Sequence, residues 1–136
     1  MFSHTIMTLD EQGLEGRKMT DRRLDFGSSK TVKINNELFV IKEGNPVVTF
    51  KYSNIGDFEN LIKTRYPNLP YNGYLEEFSI CNLVDRRVIL SGGEDADENP
   101  SAKVFSLDPM SKKWQTRALP NLNVARSKHN SLSIGE

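Results

Sequence analysis

Short strings that recur at near-constant spacing are the strongest constraint on what this chain can fold into. Pro67-Asn68-Leu69 recurs as Pro120-Asn121-Leu122, and Phe78-Ser79-Ile80 recurs as Leu132-Ser133-Ile134. Phe39-Val40-Ile41-Lys42-Glu43-Gly44 lies over Val88-Ile89-Leu90-Ser91-Gly92-Gly93 at a constant offset of 49, and Thr31-Val32-Lys33-Ile34 matches the strand ending at Ile80. A period of ~50 residues is the length of one four-stranded unit, which cannot bury its apolar faces alone and is stabilised by stacking on neighbours. Two such units and the beginning of a third are expected.

The local pattern inside each period is β-rich. Thr31 to Ile34 and Leu38 to Ile41 flank Asn35-Asn36, a two-residue turn of the kind that closes hairpins. Val47 to Tyr52 reads as a third strand, with Val48, Phe50 and Tyr52 on one face by the period of 2. Asp57 to Arg65 fits either a fourth strand or one helical turn. In the second period, Tyr74 to Ile80, Arg87 to Leu90, Ala102 to Leu107 and Lys113 to Thr116 read as strands. Asn130 to Ile134 would open a third unit. Phe50, Tyr52, Phe105 and Trp114 are the large apolar groups expected to fill the space between stacked units. The first thirty residues carry mixed charge and no sustained period, so they read as an irregular arm that needs a receiving surface to become ordered.

Residues 78 to 134 resemble a kelch repeat. The motif runs in order: Gly92-Gly93 closing an apolar strand, Phe105 and Leu107 in the next strand, Asp108-Pro109 at its turn, Trp114 five residues after the proline, Leu119-Pro120, and Arg126. Leu107 departs from the family's usual tyrosine. Residues 31 to 69 look like a degenerate copy, with Glu43-Gly44 for the glycine pair, Tyr52 at the tyrosine position and Phe58 near the tryptophan position.

The resemblance implies an all-β fold, a partial β-propeller of four-stranded antiparallel blades. It divides the chain into an arm (1–30), a degenerate first blade (31–73), a second blade (74–125) and the start of a third (126–136). A propeller needs about four blades or more, so two blades must be completed by more of the same chain or by a partner chain. It also implies a non-enzymatic interaction or scaffold protein in a larger assembly, in the cytoplasm and in reach of the cytoskeleton. The alternatives it carries are the substrate-reading part of a ubiquitin ligase adaptor, although these residues hold no BTB-like or F-box-like helical region, and a fragment of a propeller enzyme. An unrelated β-sandwich is the other all-β solution.

Charge and cysteine usage narrow the partners. Eighteen Lys and Arg balance eighteen Asp and Glu, so no long-range field draws the chain to nucleic acid or an anionic membrane. No run approaches the ~18 apolar residues of a membrane span. Cys81 alone forms no internal disulfide, in keeping with a reducing compartment. Residues 1 to 7 lack a basic and apolar leader pattern. The expected partners are other protein subunits.

Candidate chemistry is sparse. His4 and His129 have no metal-ligand spacing, and Cys81 has neither a CxxC pattern nor clustered histidines. Gly92-Gly93 lacks the Lys-Ser/Thr and helix of a phosphate loop. Glu94, Asp95, Asp97 and Glu98 lack the spacing of a calcium loop, but a protruding acidic loop is a place for recognition. With Arg126, Lys128 and His129 of the segment between units, these residues are the expected partner-binding set. Arg126 is further expected to bind carbonyls or carboxylates between units. Neither cofactor nor metal is expected, and no enzymatic activity.

Overall fold

A computed structural model describes residues 5–9, 16–20 and 27–135, the first two stretches by backbone alone. The chain is all-β. Strands β1 (Thr5–Leu9) and β2 (Gly16–Thr20) pair as a hairpin, Thr5 opposite Thr20. Regular backbone therefore occurs inside the segment expected to be irregular; the rest of that arm up to residue 26 lies outside the described residues. Two four-stranded antiparallel meanders follow. The first comprises β3 (Ser29–Ile34), β4 (Glu37–Lys42), β5 (Val48–Ser53) and β6 (Ile62–Tyr66). The second comprises β7 (Ser79–Asn82), β8 (Val88–Ser91), β9 (Val104–Asp108) and β10 (Lys113–Gln115).

Local chemistry explains most of these elements. Asn35 takes φ +54 in the β3–β4 turn, a left-handed conformation that asparagine tolerates. Both readings of residues 57 to 65 are realised in succession, a 3-10 turn at Phe58–Asn60 and then β6. Asp108 accepts the Met110 amide at 2.9 Å through its side chain and the Lys112 amide at 2.8 Å through its carbonyl, which closes the β9–β10 turn over Pro109.

Two expected strands are revised. Of Tyr74 to Ile80, only the end enters a ladder, because Gly73 at φ +122 and Glu77 at φ +53 interrupt the extended backbone. Leu75 and Glu76 make single bridges instead, to Gly44 and Glu94. Asn130 to Ile134 has no ladder partner among the described residues, and Leu132 and Ile134 stand 80% and 90% exposed. Without a neighbouring strand to take its N–H and C=O groups, an apolar-alternating segment does not become a ladder.

The sheets meet face to face. In the first, Phe39 lies opposite Val32 and Ile41 opposite Thr49, which in turn faces Tyr66, so Val32, Phe39, Ile41 and Tyr66 share one side. In the second, Ile80, Val88, Leu90, Phe105, Leu107 and Trp114 share a side by the same argument. These two rows merge with Leu69, Leu75 and Phe78 into one core. At about 25 cal/mol per Å² of apolar surface, this core is the main stabilising term of the described fold. Lys112 reaches over the Tyr66 ring at 5.9 Å, and the Trp114 indole N–H donates to the Pro67 carbonyl at 3.1 Å. Phe105 and Trp114 thus occupy the seam as expected, although Trp114 is only half-buried.

Phe50 and Tyr52 do not. They lie on the opposite face of the first sheet, in a second cluster with Val40, Ile55 and Leu61. The reason is a one-residue slip, which moves every side chain of a strand to the other face. The repeat at 49 places Phe39 and Ile41 over Val88 and Leu90, but those rows face each other across the seam. The row that points the same way as Val88 and Leu90 is Leu38 and Val40. The offset of 49 holds at Gly44 and Gly93, which have φ +121 and +103 and whose N–H groups donate to the Leu75 and Arg126 carbonyls. The extra residue therefore lies between β4 and Gly44.

Candidate interaction site

The double glycine is a junction where two segments converge on the end of β8. A β-carbon at Gly92 would lie 2.3 Å from the Arg126 carbonyl oxygen and 2.5 Å from His129 Cε1; one at Gly93 would lie 2.8 Å from Leu75 Cδ1 and 2.9 Å from the Glu76 carbonyl oxygen. Real β-carbons do not approach that closely, and both glycines have positive φ. The backbone fastens the two sides: the Gly93 amide donates to Arg126, the Arg126 amide to Ser101, and the Lys128 amide to Glu77.

Polar side chains finish the junction. Glu94 is 6% exposed rather than presented on a loop, and its carboxylate accepts the Ser127 hydroxyl at 2.8 Å. Its backbone pairs in both directions with Glu76, whose carboxylate takes the Tyr74 hydroxyl. That hydrogen bond, ahead of desolvation, raises the Tyr74 pKa. Glu43 accepts the Glu77 amide at 3.1 Å and lies 4.0 Å from Lys30. Burial raises its pKa and outweighs the opposing pull of Lys30 and of the Glu77 amide.

His129 rests over Gly92 with Nε2 3.1 Å from Ser91 Oγ, and its Nδ1 is buried with no well-aligned hydrogen-bond partner among the described residues. Burial, then the nearby Arg126 charge, lowers its pKa, against a smaller opposing pull of the Ser127 backbone, which favours a proton on the ring. Among the described residues no carboxylate bonds Nδ1, the contact that orients a catalytic histidine in a serine triad.

The seven expected partner-binding residues therefore separate. Glu94 and His129 serve the junction, and Arg126 serves it through its backbone. The Arg126 guanidinium approaches the Val124 carbonyl at 3.4 Å, within its own segment rather than across units. Lys128 is exposed at φ +54. Asp97 and Glu98 stand on an exposed loop that Asp95 shapes from inside. The Asp95 carboxylate accepts the Asn99 and Asp97 amides, each at 2.9 Å, and the Asn99 side chain at 3.1 Å. Hydrogen bonds from Asn99 hold its pKa below the ordinary value. The loop tip is an acidic turn closed on the Asp95 carboxylate.

Sequence reasoning missed the groove beside this junction. Val32 of β3, Ile80 to Asn82 of β7 and Ser131 to Ser133 border one open channel of about 400 Å³. A second pocket of about 310 Å³ lies nearer the junction, lined by Ser29, Lys30 and Thr31, Ser79, His129 and Asn130. Ser79 and Ser131 meet through their hydroxyls at 2.5 Å. Serines in a β-rich chain carry no sequence signal for such a place; the ~50-residue spacing of the three segments does.

No protein-family model matches the chain, and no curated protein sequence matches it. Among solved structures, YjhT is similar, with a TM-score of 0.63 at 12% identity over 79% of this chain. At that identity the likeness concerns the fold alone. The match spans 30% of the YjhT chain.

Proposed function

We propose that this chain forms two adjoining kelch-type blades of a β-propeller, with residues 126–136 entering a third, and that it works as a non-enzymatic scaffold in a larger protein assembly. The groove carries this reading. Three segments from successive ~50-residue units border it together, as the innermost strands of neighbouring blades border a propeller's centre. The outer faces support the same reading: Val40 and Tyr52 on one sheet, and Ile89 and Ser106 on the other, are buried although they point away from the seam. A sandwich of two sheets leaves such faces polar and solvated.

Binding fits what the site offers. The acidic turn at residues 95–99 is pre-shaped by Asp95 and presented beyond a junction that fixes its base, so little ordering cost falls on recognition. Other protein subunits in the cytoplasm are the partners proposed. The test is affinity capture of the native assembly with the full chain, with a chain lacking residues 1–26, and with residues 96–98 replaced by glycine and serine. Weakened capture with unchanged β content supports the scaffold role. Unchanged capture by both variants, or substrate turnover by the purified chain, refutes it.

A further inference from the structure

The chain is neutral overall, but its charge is segregated. The ladder sets Leu38 and Tyr52 between Lys33 and Lys63 in one row across the first sheet, and Val40 and Phe50 beside Arg65 in the next, all on the face turned away from the seam. Lys42 lies on the same face, and no residue on that side of the ladder is acidic. Lys63 stands 4.1 Å and Lys42 5.8 Å from the centre of the half-buried Phe50 ring, and the exposed Lys33 and Arg65 complete a cationic frame around this patch. Among the described residues none forms an ion pair with Lys33, Lys63 or Arg65. The opposite charge collects elsewhere. Asp97 and Glu98 are exposed on the turn that Asp95 closes, and among the described residues no cation pairs with either.

We propose that the outer face of the first sheet is the docking surface for the acidic turn, residues 95–99, of a second copy of this chain. The inference rests on the reading of that turn as a recognition element, and it names the partner. Lys63 and Arg65 are two residues apart on β6 and project from the same side, about 7 Å from each other. That spacing suits two neighbouring carboxylates, one of which the Arg65 guanidinium takes through paired hydrogen bonds. Arg65 is otherwise engaged only by the Asn68 side chain, at 3.5 Å. Among the described residues β6 is the open edge of its sheet, and charged side chains on an edge oppose strand-to-strand pairing. A contact made by a turn and by side chains is the kind such an edge admits.

Within one copy the turn pairs with none of these cations, so both surfaces stay available to a neighbour. They are different patches, which makes the contact head-to-tail: each copy offers a turn to one neighbour and a face to another, and the copies close into a ring or extend as a filament. Exposed ion pairs are individually weak and screened by salt, so this association is of low affinity and salt-sensitive. The hydrogen bonds on Asp95 already shape the turn, which spares part of the ordering cost. The chain's other adhesive surface is apolar, at Leu132 and Ile134, and association through those side chains does not weaken as salt rises.

The experiment is sedimentation equilibrium of the full chain from about 10 µM to about 1 mM. It is run at salt of about 0.01 M and about 1 M, between which the screening length falls from ~30 Å to ~3 Å. The expected result is a mean mass that rises with concentration above that of one copy at low salt and returns to one copy at high salt. Lys63→Glu with Arg65→Glu makes the face acidic, and Asp97→Lys with Glu98→Lys makes the turn basic. Each double variant alone should stay monomeric with native circular dichroism, and an equimolar mixture of the two should associate again, because the reversed face of one then meets the reversed turn of the other. A native chain that is monomeric throughout at low salt overturns the proposal, as does association that either double variant retains or that the mixture fails to restore. Association that persists at high salt assigns it to Leu132 and Ile134 and overturns the proposal too. If self-association fails while replacement of residues 96–98 still weakens capture of the native assembly, the docking of copies is refuted and the scaffold reading stands.

Discussion

The His129 ring stands over Gly92 so closely that a β-carbon on residue 92 would come within 2.5 Å of His129 Cε1. With the Arg126 carbonyl oxygen 2.3 Å from the same position and φ at +66, this contact explains why residue 92 is glycine. It also ties the second sheet to the segment that follows it.

Gly92→Ala should therefore be among the most damaging small substitutions in the chain. It combines a left-handed backbone with a collision against the Arg126 carbonyl, and the cost should be about 2 to 4 kcal/mol. Gly44→Ala, where φ is +121 but no atom lies within 4 Å of the added carbon, should pay only the backbone strain. Urea midpoints of the two variants give the comparison, and equal midpoints would remove steric closeness as the cause.

Trp114 supplies apolar area to the seam and a hydrogen bond to Pro67. Because the side chain is only half-buried, Trp114→Ala should cost about 2 to 3 kcal/mol, at or below the bottom of the range for a fully buried tryptophan. Trp114→Phe keeps most of the packing and loses the bond, for about 1 kcal/mol. A Phe variant as unstable as the Ala variant would mean that the hydrogen bond dominates.

Lys51 sits on the seam side of β5, 2.8 Å from Glu37 and 3.4 Å from the Tyr66 hydroxyl. Burial alone would depress its pKa, but hydrogen bonding to Glu37 and Tyr66 outweighs it and leaves the value above 10.5. A raised folded pKa means the stabilisation is complete below 10.5 and is lost as pH climbs through the folded value. The stability gap between the native chain and Lys51→Met should hold from pH 7 to about 9.5 and narrow above about 10.5. A gap independent of pH would assign the effect to packing of the lysine stem.

Asp95→Ala should release the acidic turn without unfolding the sheets. Three hydrogen bonds converge on that carboxylate, so limited proteolysis should cut the variant within residues 95–99 faster than the native chain, at an unchanged melting temperature. Equal cleavage rates would show that the turn is shaped by something other than Asp95.

Much of this architecture was legible in order and spacing. Asn35-Asn36 announced a hairpin, Asp108-Pro109 a turn, and Gly92-Gly93 the end of an apolar strand, since each depends on the backbone preferences of a few residues. What escaped depends on partners distant in sequence. String matching set Phe39 over Val88, but only the ladder shows which side a strand presents, and one added residue before Gly44 was enough to reverse it. Glu94 read as the first residue of a solvated loop because nothing local marks Ser127 as its partner. The groove formed by β3, β7 and residues 131–133 was implicit in the period, yet the serines lining it look like any others.

The seam also contains its own optical gauge. The chain has a single tryptophan, and its indole N–H is tied to the carbonyl of Pro67, the residue immediately after β6, while its ring packs against the core shared by both sheets. Emission from Trp114 therefore reports the separation of the two sheets rather than the integrity of either. A red shift that precedes the loss of β circular dichroism would mark the two sheets parting while each is still folded.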